Sequence, residues 1–394
     1  MRKANGIMQH PLLITLKSLR GNPKACVYTE PLWGLSINLC LPYASVFMVG
    51  LHLSDTYVGV VASIYMFSQM FFSFLSGIIT DKLGRRKTTV IFDFVGWSLP
   101  CLIWAFSEGF WFFAVAALLN GAMKVPTVSW DCLLVEDAPK DQISKLYTLI
   151  LMAGSSAALF APISSILVAR FTLIPAIRIL YLNAFVVMTI KVLILYRFSK
   201  ETSVGLIRQQ ETKGRSLRSL TRGYLPVFRE MLRSKATVFS IIVSVLVEIT
   251  MMIYSTFWQI IASRRIGITD AMLPIFPMLS SLLSLFFYFF VIAHLNQKNL
   301  KRPLLWGFSA AAASCLLLIL IGPNHPMLYP LLLGSIALNS LGGGLLGVLR
   351  ESIVAISVDP HERSRIMALL HMVVMLISVP FGYIGGMLSD LHKT

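Results

Sequence analysis

The sequence predicts an all-α protein that crosses a membrane many times. Of its 394 residues, 56% are hydrophobic and only 13% are charged, whereas a soluble globular chain carries about 25% charged residues. The mean hydropathy is +0.75, and long apolar stretches recur along the chain. A disordered chain is excluded because such chains are poor in apolar residues. The five scattered cysteines exclude a small disulfide-stabilised scaffold.

Eleven stretches are long and apolar enough to be membrane spans, since about 20 apolar residues cross the hydrocarbon core. Glycine, proline and serine occur within them, which membrane helices tolerate because neighbouring helices satisfy the freed backbone groups. In chain order the predicted spans are 31–52, 57–80, 88–107, 110–135, 146–169, 176–196, 237–262, 271–295, 303–322, 327–350 and 366–388.

The order of the spans predicts four parts. These are a cytoplasmic or interfacial N-terminal arm (1–29), an N-terminal six-helix bundle (30–198), a central cytoplasmic loop (199–236) and a C-terminal bundle of five helices (237–394).

Two of the polar segments have amphipathic patterns. In the arm, Leu13, Leu16 and Leu19 favour a short helix lying on the membrane surface. In the central loop, residues 216–233 are basic and amphipathic. This stretch fits either a helix on the anionic inner leaflet or a solvated linker.

The net charge of +16 follows from topology. With a cytoplasmic N-terminus, 26 of the 34 Lys and Arg residues fall in predicted cytoplasmic segments and 5 on the opposite side. This bias is the positive-inside pattern, so no nucleic-acid partner is needed to explain the charge. Residues 1–29 lack the features of a cleavable signal peptide. We therefore expect a multi-pass protein of the plasma membrane with a cytoplasmic N-terminus. A monomer is a separate prediction.

The loop between the second and third spans has an informative spacing over residues 77–87. Gly77 lets helices approach closely, and Gly84 permits a tight turn. Asp81 can face a helix N-terminus or an arginine across the bundle. Arg85 and Arg86 belong to a basic cluster that holds the loop in the cytoplasm.

This loop resembles the signature loop of the major facilitator superfamily, with every fixed position matched. The resemblance implies two pseudo-symmetric helical bundles around a central cavity, and alternating access by rocking one bundle against the other. It assigns closure of the cytoplasmic side to Gly77, Asp81, Gly84 and Arg85. The corresponding loop of the second half, 296–302, has asparagine where the aspartate would be, so we expect an asymmetric lock.

The chain departs from the family pattern at three places. Ala117 stands where proton-driven exporters carry an arginine, and Asn120-Gly121 replaces a Gln-Gly pair. Ala161-Pro162 is a small-residue version of the Gly-Pro motif in span five. These departures weaken an assignment as a drug/proton antiporter. After Asp390 the twelfth span of the family is expected to be missing.

Two ionisable residues within spans are the main candidates for substrate binding and ion coupling, because each costs at least about 2.5 kcal/mol to insert. Lys124 lies one heptad after Ala117, and we place it in the cavity, where it binds an anionic substrate group or a carboxylate. The alternative is a lysine with a structural partner inside the bundle. Glu248 in span seven fits a proton-coupling carboxylate. The alternative is a protonated Glu248 bonded to a serine or threonine. A Lys124–Glu248 pair between the bundles is a further prediction.

The remaining intramembrane charges predict gate and cavity contacts. Asp131 and Glu136, with Arg350 and Glu351, are expected to form cytoplasmic-gate ion pairs, or else to reach water. Asp131, Trp130 and Tyr43 are also candidates for substrate binding or ion coupling. Asp93 is expected to support the signature loop.

One lysine, one histidine and several aromatic residues within the spans have less specific interpretations. Lys191 can extend towards the membrane surface and receives no role. His371 is either a proton carrier or a packing residue. Aromatic side chains that could line the cavity are Tyr43, Trp97, Trp130, Phe257 and Trp258.

No enzyme, cofactor or metal signature is present in the sequence. There is no phosphate-binding glycine loop and no metal-ligand spacing among the cysteines. We therefore predict a secondary active transporter whose partners are a small organic solute, protons and the lipid bilayer. The alternatives are a multidrug or lipid exporter, and a non-transporting membrane sensor or scaffold.

Overall fold

The computed structural model describes residues 10–40, 43–160, 162–216, 224–260, 275–295, 300–321 and 326–391, and every regular element in these ranges is helical. In chain order the helices are α1 (Pro11–Ser18), α2 (Gly21–Cys40), α3 (Ala44–Gly50), α4 (Asp55–Leu83), α5 (Arg85–Asp93), α6 (Leu99–Ala105), α7 (Phe110–Gly121), α8 (Lys124–Val135), α9 (Ile143–Ala158), α10 (Pro162–Phe171), α11 (Leu173–Phe198), α12 (Ser203–Thr212), α13 (Tyr224–Arg233), α14 (Lys235–Ile260), α15 (Ile275–Phe290), α16 (Lys301–Leu320), α17 (Leu328–Ser357) and α18 (Arg363–Leu391).

Seven helical segments in the described part of the chain are long and apolar enough to cross a membrane. An eighth is added if the bent pair Pro226–Arg233 and Lys235–Met251, which meet at 89°, forms one span. Met278–His294 is apolar but shorter. An all-helical, multi-pass membrane protein is therefore confirmed, and the count of eleven spans stays a prediction.

The first long helix begins about ten residues earlier than the hydropathy predicts. Helix α2 starts at Gly21, whereas the predicted span starts at 31. Its first turns carry polar residues, but Asn22 and Thr29 are buried within the protein, and the Thr29 hydroxyl donates to the Ala25 carbonyl at 2.8 Å. Hydropathy misses this part because its polar residues are stabilised by burial in the protein, which a hydropathy profile does not contain.

The predicted amphipathic helix of the arm exists, but it packs on the protein. Leu12 of α1 and the following Leu19 are buried in a cluster that includes Leu146 of the first bundle and Ala293 of the second. The His10 ring stacks on Phe289, with ring centroids 3.7 Å apart. Helix α1 therefore bridges both bundles.

The fourth span is broken at its centre, between α7 and α8. A π-helical turn at Phe94–Ser98 packs against this break, and a Cβ atom on Gly96 would lie 2.7 Å from the Met123 nitrogen. The Asn120 side-chain amide donates to the Gly96 carbonyl at 2.6 Å. Lys124 consequently occupies the first position of a helix within the bundle.

The central loop folds back onto the bundles over 224–233 and is not a solvated linker there, whereas its contact with the inner leaflet stays a prediction. In α13, Val227 and Met231 are buried in a cluster with Ile78 of α4 and with Ile366 and Leu370 of α18. Residues 217–223 lie outside the described residues.

The two bundles meet at the end of the molecule that carries residues 77–87, which we name the signature-loop end. Helix α4 packs on α18 there, with Ile78 buried against Met367 and Leu370. Helix α9 packs on α15, and Ser155 and Tyr288 share a side-chain hydrogen bond across this contact. The bundles are therefore closed against each other at this end.

Candidate functional site

Asp81 is the centre of a charged cluster at the signature-loop end. It is 1% exposed and accepts hydrogen bonds from Arg208 Nη2 at 2.8 Å, Arg365 Nε at 3.0 Å and Arg85 Nη1 at 3.2 Å. The Ser364 hydroxyl also donates to it. The carboxylate thus joins α4 of the first bundle, α12 of the central loop and α18 of the second bundle.

Further acids complete the cluster. Arg85 pairs with Glu136 at 3.1 Å, and Arg208 pairs with Glu362 at 2.9 Å. The set formed by Asp81, Arg85, Glu136, Arg208, Glu362, Ser364 and Arg365 is named the gate cluster. Each buried charge in it is compensated by an opposite charge, as a stable buried ion network requires.

The turn before α5 is built on Gly84 and capped by Glu201. Gly84 has φ of +84°, a backbone conformation that glycine adopts readily. The Glu201 carboxylate accepts from the backbone amides of Arg85 at 2.8 Å and Arg86 at 3.1 Å, so it occupies the positive end of the α5 dipole. Burial raises the pKa of Glu201, and these hydrogen bonds oppose the shift.

The structure gathers some of the predicted gate residues and separates others. Asp81, Gly84 and Arg85 meet as predicted, and Gly77 is buried in the same stretch of α4. Arg86 instead donates to the Tyr196 carbonyl and lies over the Tyr196 ring at 4.5 Å. The gate partners missed from the sequence are Glu201, Arg208, Glu362, Ser364 and Arg365.

A cavity of about 530 Å³ lies between the bundles and is lined by residues from both. Its volume is in the range of small-molecule sites. The ionisable residues in its wall are Glu30, Asp93, Lys124, Asp131, Tyr147, Lys191, Glu248, Arg350, Glu351 and His371.

The wall of the second bundle holds the second-bundle cluster, formed by Glu248, Arg350 and Glu351. Arg350 Nη1 lies 2.9 Å from Glu248 Oε2, and Arg350 Nη2 lies 2.7 Å from Glu351 Oε1. This corrects two expectations: Arg350 and Glu351 belong to the cavity rather than the gate, and Glu248 pairs with Arg350 rather than with Lys124. No described carboxylate lies within 4.0 Å of the Lys124 ammonium group, although Lys124 lines the same cavity.

The wall of the first bundle holds the first-bundle cluster, formed by Glu30, Asp93 and Lys191. Lys191 Nζ lies 2.9 Å from Asp93 Oδ2, and both side chains are nearly inaccessible. Two predictions are therefore wrong: Lys191 does not extend to the membrane surface, and Asp93 pairs with it instead of supporting the signature loop. Next to this cluster Trp33 and Trp97 pack edge to face, with ring centroids 5.5 Å apart.

The other candidate residues divide between the cavity and the packing. Trp130 and Asp131 line the cavity, and the Tyr147 hydroxyl donates to Asp131, so Asp131 is not a gate residue. His371 also lines it. Tyr43 packs in a separate apolar cluster of the first bundle and is not a lining residue. The side chains of Phe257 and Trp258 lie outside the description.

A comparison with protein families identifies the fold. The pattern of the Major Facilitator Superfamily matches residues 32–383. The chain belongs to this superfamily. A search of curated protein sequences gives no significant match.

Solved structures of transporters share the fold of this superfamily member. The fucose transporter FucP in the outward conformation is 13% identical, with a TM-score of 0.73 over 94% of this chain and 92% of that one. The human organic anion transporter MFSD10 is 17% identical, with a TM-score of 0.67 over 91% of each chain. The proton:xylose symporter XylE is 12% identical, with a TM-score of 0.65 over 93% of this chain and 88% of the other.

Proposed function

We propose that the protein is a proton-coupled secondary active transporter that moves a small organic solute across the plasma membrane by alternating access. Its family makes it a transporter. The observation that carries proton coupling is the charge of the cavity wall, which holds five carboxylates but only three basic side chains, Lys124, Lys191 and Arg350. A cleft lined by a surplus of one charge raises the local concentration of ions of the opposite sign. The wall therefore favours binding of protons or of a cation.

The second-bundle cluster is the proton site in this proposal. Glu248 and Glu351 share the single guanidinium of Arg350, so one carboxylate remains without a full counter-charge. A proton that binds Glu248 neutralises it and weakens its bond to Arg350, since a neutral acid attracts a cation less strongly. The proton thus changes a contact between α14 and α17 on the cavity wall.

In this proposal the gate cluster opens and closes one end of the cavity, as alternating access requires. We place the signature-loop end in the cytoplasm because 26 of the 34 Lys and Arg residues fall in segments on that side. Opening this end separates α18 from α4 and breaks the bonds of Asp81 to Ser364 and Arg365. Closure at this end supports an outward-facing state, the conformation in which FucP was solved.

The test uses the full-length protein in vesicles that contain a pH-sensitive dye. Candidate solutes are added outside, the membrane potential is clamped, and proton entry is followed together with exchange of radiolabelled solute. We expect a transported solute to drive proton entry in the wild type. Glu248→Gln should keep solute exchange and lose proton entry at least about tenfold, a factor equal to 1.4 kcal/mol.

Glu108→Gln is the matched control, since Glu108 is exposed and is not a lining residue of the cavity. Solute exchange without proton entry in the wild type contradicts coupling. Solute binding without exchange contradicts transport and favours a membrane sensor.

A further inference from the structure

The first-bundle wall of the cavity contains a carboxyl group, that of Glu30, to which no described residue donates a hydrogen bond and with which none pairs as a cation. Asp93 is neutralised by Lys191 at 2.9 Å. Glu30 lines the same cavity, yet no described residue donates a hydrogen bond to it, and every described ammonium or guanidinium nitrogen lies beyond 4.0 Å. Lys191 and Asp93 act on Glu30 with opposite signs, and neither is bonded to its carboxylate.

Two indole rings follow the acidic residues of this wall closely in the chain. Trp33 lies one helical turn after Glu30 in α2, and Trp97 lies one turn after Asp93, in the π-helical turn. Both line the cavity, and their edge-to-face contact gives the pair a fixed shape. The face of a tryptophan ring attracts cations, and quaternary ammonium groups are recognised by such rings. The corner therefore presents a carboxyl group without a bonded counter-ion, together with two cation-attracting surfaces.

The opposite charge is also available, but at a different position. Lys124 lines the cavity without a salt bridge to any described carboxylate. It begins α8, whereas the indole corner is built from α2 and the segment after α5. A solute with separated charges thus finds a partner for each end within one cavity.

We propose that Glu30, Trp33 and Trp97 bind a positively charged nitrogen, so that the transported solutes are organic ammonium compounds. The inference rests on the proposed transport function and names its substrate class. The carboxylate supplies the charge, the indoles exclude water and select an alkylated nitrogen, and the Asp93–Lys191 pair holds the corner without competing for the ligand.

The test compares charged probes with a neutral isostere on the purified full-length protein. The probes are choline and phenethylamine, and 3,3-dimethylbutan-1-ol is the neutral isostere of choline. Binding is measured by calorimetry and by quenching of tryptophan fluorescence. At least one ammonium probe should bind at least about tenfold more tightly than the neutral alcohol, the effect expected of a desolvated charge contact. Preference for choline assigns a quaternary ammonium, and preference for phenethylamine a primary one.

Variants then locate the site. Glu30→Gln should weaken binding of the preferred ammonium probe at least about tenfold, while Trp33→Phe keeps an aromatic ring and should weaken it by only a few-fold. Glu108→Gln should leave the affinity unchanged. A thermal unfolding curve like that of the wild type shows that each variant is folded.

The outcomes separate this inference from the transport function. Equal affinity for all the probes and the neutral alcohol, or an unchanged affinity in a folded Glu30→Gln variant, overturns the ammonium site. Proton-coupled exchange of a solute without a cationic group, unaffected by Glu30→Gln, overturns it while transport stands. Charge-selective binding without exchange supports the site and contradicts transport.

Discussion

The gate cluster and the second-bundle cluster both bring carboxylates to arginines, but they differ in compensation and exposure. In the gate cluster Asp81 contacts three arginines, and its side chain is 1% exposed. In the second-bundle cluster one arginine serves two carboxylates, and the Glu248 side chain is 46% exposed. The first arrangement excludes water and protons, whereas the second leaves an acid open to the cavity.

The difference assigns the clusters to different tasks. A buried, fully compensated network is costly to break at a single member, because the remaining charges lose their partners. It therefore holds two helices together until several contacts open at once. Glu248 is open to the cavity and shares Arg350 with Glu351. A proton or a ligand can therefore reach it without leaving a buried charge uncompensated.

The largest effect is expected from breaking the gate cluster. Asp81→Asn removes the charge shared by Arg85, Arg208 and Arg365, and the loss of one partner of a buried network costs about 3–5 kcal/mol. The signature-loop end should open, and transport should fall at least about 100-fold. Opening is measured by maleimide labelling of Cys132, which is fully buried, with mass spectrometry of the labelled peptides.

Two references accompany this measurement. Cys315 is exposed on the membrane-spanning helix α16 and should be labelled by a membrane-permeant maleimide at the same rate in both proteins. Glu230→Gln, at an exposed position in α13, should leave Cys132 protected. Unchanged protection of Cys132 in Asp81→Asn would show that the gate cluster does not hold this end closed.

An intermediate effect is expected in the cavity. If Lys124 binds the anionic end of a solute, Lys124→Gln should weaken binding of betaine, which carries a carboxylate, by about five- to tenfold, or about 1–1.4 kcal/mol. Choline lacks the carboxylate, and its affinity should not fall. The two titrations are compared by calorimetry on the same preparation, and an equal loss for both ligands argues against an anion-binding Lys124.

The smallest effect is expected at the turn that positions Arg85. In Gly84→Ala the φ of +84° becomes unfavourable by about 1–2 kcal/mol, and the new Cβ atom would lie 2.4 Å from Glu201 Oε2. The unfolding temperature in detergent should fall by a few degrees. Gly154→Ala is the control, because a Cβ atom there meets nothing within 4 Å and alanine favours the helix. Equal melting of Gly84→Ala and wild type would contradict strain at this turn.

The resemblance of residues 77–87 to the signature loop made part of the gate predictable. Gly84 and Arg85 follow Asp81 within one turn of the chain, so a short sequence motif contains these three positions. Arg208 is different because it is one of ten Lys and Arg residues in or beside the central loop. Only folding of α12 against α4 distinguishes it from the others.

The cavity contacts depended on helix rotation, which a hydropathy profile does not contain. Lys191 and Asp93 are separated by 98 residues. Their pairing requires each helix to be rotated about its axis so that the two side chains face each other. Glu30 precedes the predicted span, so a rule that searches for charges within spans passes over it. Lys124 and Glu248 line the cavity, as their depth in the spans predicted. They do not pair with each other, because Glu248 pairs with Arg350.

The docking of α1 has a consequence for the order of assembly during synthesis. His10 contacts the Phe289 carbonyl across 279 positions of the chain, and Leu12 shares its buried cluster with Ala355. Domains generally form in the order in which they are made, so the first-bundle part of this surface, which includes Leu146, is available before the second-bundle part. The burial of α1 is therefore complete only when both halves have been made and paired.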